Sequence, residues 1–92
     1  MTDPAAPGET PAEALQVDAR GLLCPLPVLR LRKRLQTLPA GARVALIATD
    51  EMAAIDVPHF CAQSGHELLE IRVMADGATL YLVQRGPDAP TG

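Results

Sequence analysis

Apolar and polar positions alternate along the chain with two different periods. In residues 15–18 every second side chain is apolar, which is typical of a short strand. The following segment instead repeats its apolar side chains at spacings of three and four, at Val28, Leu31, Leu35 and Leu38. This spacing predicts an amphipathic helix over residues 28–38, ended by the Pro39-Ala40-Gly41 segment.

A second helix is predicted over residues 52–64, where Gly65 supplies its end. Its inward side chains are expected at Ile55, Phe60 and Cys61. Pro58 lies inside the pattern, so the regular helix either begins near Val57 or is distorted there.

Three further strands are predicted. Residues 44–48 form an uninterrupted apolar run, as expected for a central strand that is buried on both faces. Residues 69–73 alternate apolar and charged side chains, which predicts a half-buried strand. Asp76-Gly77 is typical of a hairpin turn, and residues 79–85 then return as a last alternating strand.

These elements give the order β-α-β-α-β-β. Parallel crossovers are nearly always right-handed, so both helices are expected on one face of a four-stranded mixed sheet. The predicted fold is therefore an α/β (α+β) two-layer sandwich whose other sheet face is open. The domain is expected to span residues 15–86, between a flexible N-terminal extension, residues 1–14, and a flexible tail, residues 87–92.

Composition and charge narrow the class of protein. The 92 residues are enough for one small domain, with 48% apolar and 21% charged residues. A formal net charge of −3 provides no general attraction to nucleic acid or to an anionic membrane. No apolar run is long enough to span a membrane, and residues 1–8 do not resemble a secretory signal. We therefore expect a cytoplasmic protein with reduced cysteines.

The segment Cys24-Pro25-Leu26-Pro27 is the main candidate for chemistry. Prolines are tolerated in a first helical turn, so they place Cys24 at or just before a helix N-terminus, whose partial positive charge favours a thiolate. With Cys24 as N-cap, Pro25 and Pro27 lack amides and Leu26 is the near donor to the sulfur. This predicts a rigid, exposed and modestly activated thiolate, to which Arg20 could add positive charge. A small buried apolar cysteine is the alternative.

The other cysteine, the histidines and the acidic residues give no clear indication of a reactive site. Cys61 beside Phe60 is expected to be a buried structural thiol, and the cysteines with His59 and His66 lack the paired spacing of a zinc site. Asp50, Glu51 and Asp56 are interpreted as capping residues at the start of the second helix.

Four basic residues follow the cysteine on the first helix, Arg30, Arg32, Lys33 and Arg34. Such a run is usually a solvated helix face. Because it lies on the helix that carries the thiol, it is also a candidate docking surface for acidic partners.

A known family shares these residues. Residues 18–28, Asp-Ala-Arg-Gly-Leu-Leu-Cys-Pro-Leu-Pro-Val, followed by Arg32-Lys33, resemble the TusA/SirA-like sulfur-carrier family, whose hallmark is Cys-Pro-x-Pro. The resemblance extends through Pro39-Ala40-Gly41 and Asp56-Val57-Pro58-His59-Phe60-Cys61 and covers roughly residues 15 to 86. It implies the same β-α-β-α-β-β sandwich.

The resemblance also implies a function. The cysteine matching Cys24 would accept sulfane sulfur as a persulfide, with Arg20, Gly21, Pro25 and Pro27 as supporting motif residues. The donor would be a cysteine desulfurase or a rhodanese-type protein, and an acceptor protein would serve tRNA thiolation, molybdenum-cofactor supply or sulfur oxidation. No metal, organic cofactor, membrane or direct nucleic-acid contact is implied, and we expect a monomer.

Leu26 departs from the pattern of the family. Members engaged in tRNA thiolation often have an acidic residue between the two prolines, and this chain has a leucine. The identity of the acceptor is therefore left open by the sequence.

Two other hypotheses compete with the sulfur carrier. The first is a non-catalytic regulatory or binding module that uses the open sheet face for protein or RNA. The chain has few aromatic residues, which argues against RNA binding by base stacking. The second is a redox switch that pairs Cys24 with Cys61.

Overall fold

The computed structural model describes residues 14–87, so most of the predicted extension and tail lies outside the described residues. The elements follow the predicted order β-α-β-α-β-β. They are β1 (Leu15–Ala19), α1 (Leu26–Leu35), β2 (Arg43–Ala48), α2 (Ala53–Ser64), β3 (Glu67–Val73) and β4 (Thr79–Gln84). Of these described helices, neither has the length and apolar character needed to cross a membrane.

The four strands form one mixed sheet in the order β1-β2-β4-β3, which confirms the predicted fold class. β1 runs parallel to β2, and β4 lies antiparallel to both of its neighbours. One row of paired residues crosses the sheet at the end where β1 and β2 finish: Ala19, Ala48, Thr79 and Val73. Both helices therefore begin at this end of the sheet, since each follows one of the two parallel strands.

The main core lies between the helices and one face of the sheet. α1 contributes Leu31 and Leu35, and α2 contributes Val57 and Cys61. They pack on alternate sheet residues, Val17, Ala19, Val44, Leu46, Ala48, Tyr81 and Val83. Because one set of sheet residues receives both helices, the helices share a face, as predicted.

Helix α1 keeps the predicted register but not the predicted bounds. Leu31 and Leu35 are fully buried, and Val28 and Leu38 pack at the margin of the core. The helix ends three residues early because the chain tightens there: the Leu38 amide donates to the Leu35 carbonyl at 3.1 Å. Leu38 still contacts the core from this turn.

Helix α2 buries Cys61 as predicted and packs Phe60 against the core, but one predicted inward position is wrong. Ala53, Val57 and Cys61 are buried, whereas Ile55 is 64% exposed, so the inward position predicted for Ile55 is wrong. Residues four apart share a helix face, and Ile55, two positions from Ala53 and from Val57, points away from it. The helix begins at Ala53, well before Pro58, so the predicted alternative of a start near Val57 is also wrong.

The second face of the sheet carries no helix of the described chain, yet its centre is buried. Ala45, Ile47, Leu80 and Leu82 form a second apolar cluster there, with Leu69 packed against it. β4 is therefore buried on both faces, unlike the alternation predicted for it, because it lies inside the sheet rather than at its edge. The half-buried alternation predicted for residues 69–73 is wrong for the edge strand β3, because the apolar Ile71 and Val73 are exposed while the charged Glu70 and Arg72 are partly buried.

Candidate functional site

The loop between β1 and α1 holds Cys24 at the end of the sheet where both helices begin. Gly21 has φ +81°, a conformation that favours glycine, and its amide donates to Thr49 Oγ1 at 2.9 Å. The Leu22 amide donates to the Ala19 carbonyl at 3.2 Å. The loop is thereby attached both to its own strand and to the end of β2.

Cys24 precedes the helix by one residue more than predicted. Pro25 is the N-cap of α1, so Leu26 is the first helical residue and Pro27 the second. The Leu26 amide donates to the Leu23 carbonyl at 2.8 Å and is not available to the sulfur. The prediction that Leu26 donates to Cys24 is therefore wrong, because a turn at 23–26 takes up that amide before the helix starts.

Two carboxylates lie beside the cysteine. The Cys24 amide donates to Asp50 Oδ2 at 2.7 Å, while Asp50 Oδ1 accepts from the Met52 amide at 3.2 Å. Asp50 thus joins the cysteine loop to the start of α2. Asp56 lies in the first turn of that helix, and its carboxylate raises the pKa of the Cys24 thiol.

These carboxylates reverse the expected activation of the thiol. The Asp56 carboxylate is the largest cause of a raised Cys24 pKa, followed by desolvation and by the further negative charge of Asp50. A helix N-terminus offers roughly half a positive charge, whereas the two aspartates present full negative charges. The prediction of an easily ionised thiolate is therefore wrong for the free protein.

Arg20 does not supply positive charge to the thiol. Its Nε donates to Asp76 Oδ2 at 3.0 Å, and its Nη1 lies 3.3 Å from Asp18 Oδ1. Asp18 alternates with the core residues Val17 and Ala19, so this ion-pair network lies on the sheet face away from the helices. Arg20 instead connects the end of β1 to the β3–β4 hairpin.

The predicted basic residues are all exposed on α1. Arg30 and Lys33, with Leu22, Leu26 and Leu29, line a cleft of about 250 Å³. Arg30 Nη1 also donates to the Asp18 carbonyl at 3.4 Å. Arg32 and Arg34 lie on the same helix but do not line this cleft. The cleft therefore combines two basic side chains with three apolar ones, one of which, Leu22, belongs to the cysteine loop.

Exposed apolar side chains lie on the elements next to the cysteine, and the hydrophobic pattern does not predict their exposure. Leu23, Leu26 and Leu29 are exposed on the cysteine loop and on α1. Met52 and Ile55 are exposed at the start of α2, beside the two aspartates. Large exposed apolar side chains at one end of a domain are typical of a surface that binds another protein.

Cys61 is a buried thiol, as predicted. It is 3% exposed in the middle of α2, and burial raises its pKa to about 11. Both cysteines are free thiols. His66 packs against Phe60 with ring centroids 5.6 Å apart, and its Nδ1 accepts from the Gly86 amide at 2.9 Å. Within residues 14–87, no group of three or more His, Cys, Asp or Glu side chains could hold a metal ion.

One signal in the sequence could have located Asp50. Thr49 and Asp50 follow β2 just as Cys24 follows β1, and parallel strands end at the same edge of a sheet. The residues that follow β1 and β2 are therefore expected to lie close together. Asp56 had no comparable signal, because its position depends on the angle at which α2 leaves the sheet.

The sequence of this chain is similar to those of known proteins. Residues 15–85 match the model of the family described as Sulfurtransferase TusA. A sulfur carrier protein TusA of Pseudomonas savastanoi pv. phaseolicola is 42% identical over 82 residues, covering 85% of this chain and 96% of that protein. A sulfur carrier protein TusA of Pseudomonas entomophila is 43% identical over 72 residues, covering 78% and 89%.

A solved structure shares the fold as well. The SirA-like protein of Desulfitobacterium hafniense superposes with a TM-score of 0.71 at 25% sequence identity, covering 78% of this chain and 97% of that chain. The family model spans nearly all of the described residues, including both the cysteine loop and the two aspartates. This chain therefore belongs to the TusA family, which confirms the resemblance inferred from the Cys-Pro-x-Pro segment.

Proposed function

We propose that this protein carries sulfane sulfur as a persulfide on Cys24 and passes it to an acceptor protein. The observation that carries the proposal is the contrast between its two thiols: Cys24 is exposed on a loop fixed to β2, and Cys61 is buried. Membership of the TusA family supports a sulfur-carrier role, which requires a protein donor and a protein acceptor.

The loading step exchanges one sulfur atom. The Cys24 sulfur attacks the terminal sulfur of a persulfide on the donor, and an S–S bond forms to Cys24 as the S–S bond within the donor breaks. The bonding electron pair leaves with the donor thiolate, which takes up a proton equivalent to the one lost by Cys24. One thiol and one persulfide have exchanged places without net oxidation. Delivery to the acceptor is the same exchange in the other direction.

The surface around Cys24 favours protein partners. Leu23, Leu26 and Met52 offer apolar contact area, and Arg30 and Lys33 add positive charge beside it. Gly21, Pro25 and Pro27 hold the loop in place, since Gly21 adopts a positive φ and Pro27 is buried at the start of α1. Arg30, Arg32, Lys33 and Arg34 are the proposed docking residues.

The donor is proposed to be a cysteine desulfurase or a rhodanese-type protein in the cytoplasm. The acceptor belongs to tRNA thiolation, molybdenum-cofactor supply or sulfur oxidation. Leu26 is 49% exposed two residues after Cys24, and this exposure supports the proposal that its side chain contacts the acceptor.

Intact-mass measurement tests the carrier role. After incubation with a cysteine desulfurase and cysteine, the wild-type protein is expected to gain the mass of one sulfur atom, which a reductant then removes. Cys24→Ala should gain none, while Cys61→Ala, the matched control, should gain it as wild type does. The proposal is contradicted if the wild-type protein gains no sulfur or if Cys24→Ala gains it.

A further inference from the structure

Strand β3 lies at an edge of the sheet, and β4 is its one strand neighbour in the described chain. Its seven residues contain no proline and no lysine, which commonly protect an exposed edge from pairing with another chain. A register shift between Leu68 and Glu70 interrupts its pairing with β4, but the pairing is continuous from Glu70 to Val73. This half of β3 therefore presents regular strand backbone on its outer side.

The opposite edge of the sheet, β1, is better covered. Arg30 of α1 donates from Nη1 to the Asp18 carbonyl at 3.4 Å, so a long basic side chain lies on the β1 backbone. Val17 and Ala19 of β1 are buried under the helices. In β3, by contrast, the apolar side chains of Ile71 and Val73 are 52% and 72% exposed. The edge that leaves the larger apolar area uncovered is therefore β3.

The two faces of β3 carry different chemistry. Ile71 pairs with Tyr81 of the main core, and side chains of paired residues share a face, so Ile71 and Val73 point to the helix side of the sheet. Glu70 and Arg72 point to the other side, where Arg72 Nη2 lies 2.6 Å from Glu70 Oε2. One face of the edge is thus apolar, and the other carries one negative and one positive charge two residues apart.

We propose that two copies of this chain associate through β3, with the two strands antiparallel about a two-fold axis at Ile71. In this register Glu70 of each copy lies opposite Arg72 of the second copy, and opposite charges across a strand pair are stabilising. The two Ile71 side chains face each other, with Val73 diagonal to them. An axis at Glu70 or at Arg72 would instead place like charges opposite each other. The charge pattern of β3 therefore complements itself in one register.

This pairing leaves both reactive thiols accessible. Val73 lies in the row of paired residues at the end of the sheet where β1 and β2 finish, which is the end that carries Cys24. A two-fold axis between antiparallel strands turns these ends in opposite directions, so neither Cys24 is covered by the second copy. The association does not depend on the carrier role, and it replaces the monomer expected from the sequence.

Sedimentation velocity of the full chain tests the proposal, from low micromolar to submillimolar concentration and with a reductant present to exclude disulfide-linked dimers. Wild type is expected to shift from monomer to dimer over this range. Arg72→Glu places like charges opposite each other at two positions of the symmetric dimer, so it should weaken association about tenfold or more. The double variant Glu70→Arg with Arg72→Glu exchanges the two charges and should restore association.

Two further variants separate this edge from the rest of the surface. Val73→Lys adds a charge at a 72% exposed position of β3 and should also weaken association. Ile55→Lys, at a 64% exposed position of α2, is the matched control and should associate as wild type does. Thermal unfolding of each variant verifies that folded proteins are compared.

Three results would overturn the proposal. The first is a wild type that remains monomeric at the highest concentration. The second is a dimer that Ile55→Lys weakens as much as Val73→Lys does, since the interface would then not be specific to β3. The third is a dimer that Arg72→Glu leaves intact, or that the double variant does not restore, because the charge register would then be wrong.

Discussion

Cys24 and Cys61 show how position decides the chemistry of a residue type. Cys61 packs among Ala53, Val57 and other core side chains, and desolvation alone raises its pKa to about 11. Cys24 is exposed, and the nearby Asp56 carboxylate is the main cause of its raised pKa. A partner that binds at this exposed end should therefore change the reactivity of Cys24. The reactivity of Cys61 changes only if the core opens.

Thiol counting tests this difference. With excess aromatic disulfide at pH 8, the folded protein should release one equivalent quickly, from Cys24. The second equivalent should appear only at the rate of unfolding, because buried Cys61 is inaccessible. In urea both should react at once. Two fast equivalents in the folded protein would contradict the structure. If mild oxidation removed both thiols without aggregation, the result would support the alternative hypothesis of a redox switch between Cys24 and Cys61.

The sequence could predict that Cys24 is an exposed thiol beside a helix start, but not the charges around it. Cys24 before two prolines indicates a helix start, and the structure has the helix begin at Leu26. The raised pKa depends on Asp50 and Asp56, which are 26 and 32 residues further along the chain. Local rules for capping describe neighbours in sequence, so they could not include these two charges.

Among the elements, the loop from β1 to α1 depends on hydrogen bonds to the end of β2. Gly21 donates to Thr49 Oγ1 and Cys24 donates to Asp50 Oδ2, so the position of the cysteine is set by a neighbouring strand. This is how a connection without regular structure can present one side chain in a fixed place.

Removal of the Thr49 hydroxyl tests this attachment. Thr49→Val should reduce the free energy of unfolding by about 1 kcal/mol, since the Gly21 amide loses its partner. Urea unfolding gives the value, and the loosened loop should also change the rate at which Cys24 reacts. Thr37→Val is the control, because its hydroxyl bonds only the Arg34 carbonyl at the far end of α1. Its effect on Cys24 reactivity should be nil, and equal effects of the two variants would contradict the attachment.

The turn after α2 contains a pH-sensitive contact. His66 Nδ1 accepts from the Gly86 amide, which requires an unprotonated nitrogen. Burial lowers the His66 pKa, with a further contribution from the positive charge of Arg85. The folded state therefore disfavours protonation, and its stability is greatest above the ordinary histidine pKa of about 6.5.

Stability should thus decline as pH falls through about 6.5 and towards the lower folded-state pKa of His66. Urea midpoints at pH 7.5, 6.5 and 5.5 measure this. His66→Gln removes the titration and should flatten the decline, whereas the exposed His59→Gln should not. A decline of the same size in His66→Gln would show that another group causes it.

At the scale of the whole molecule, one end of the domain carries three kinds of surface. Apolar side chains surround Cys24, acidic groups lie at the start of α2, and basic residues extend along α1. The far end of β2, where Arg43 is exposed, has no part in this arrangement. A competing hypothesis, a binding module on the other sheet face, must use a face whose central apolar residues, such as Ile47 and Leu80, are already buried.

Charge reversal on α1 tests whether this end docks partners. Lys33→Glu should slow sulfur transfer from a protein donor about threefold to tenfold at low salt, with a smaller effect at high salt. Its rate with a small persulfide should match that of wild type, because Lys33 does not act on the Cys24 thiol. Arg43→Glu, at the opposite end of β2, should leave both rates unchanged. If the two variants slow transfer equally, the effect comes from the net charge of the protein and not from docking on α1.

The sequence predicted the whole-molecule architecture better than the surface. Element order followed from periodicity, since Leu31 and Leu35 had to face a core. Exposure of Ile55 and Leu26 could not be predicted, because an apolar residue on a small domain is assigned to the interior by default. Exposed apolar side chains violate that default, so the hydrophobic pattern alone does not locate them.

The central place of β4 has a consequence for how the protein is made. β4 is the last strand in the sequence, yet it separates β2 from β3 in the sheet. During synthesis β2 lacks its antiparallel neighbour until residues 79–84 have left the ribosome. The loop that presents Cys24 is anchored to the end of that same incomplete strand. A growing or clipped chain without β4 should therefore lack a fixed position for the Cys24 thiol.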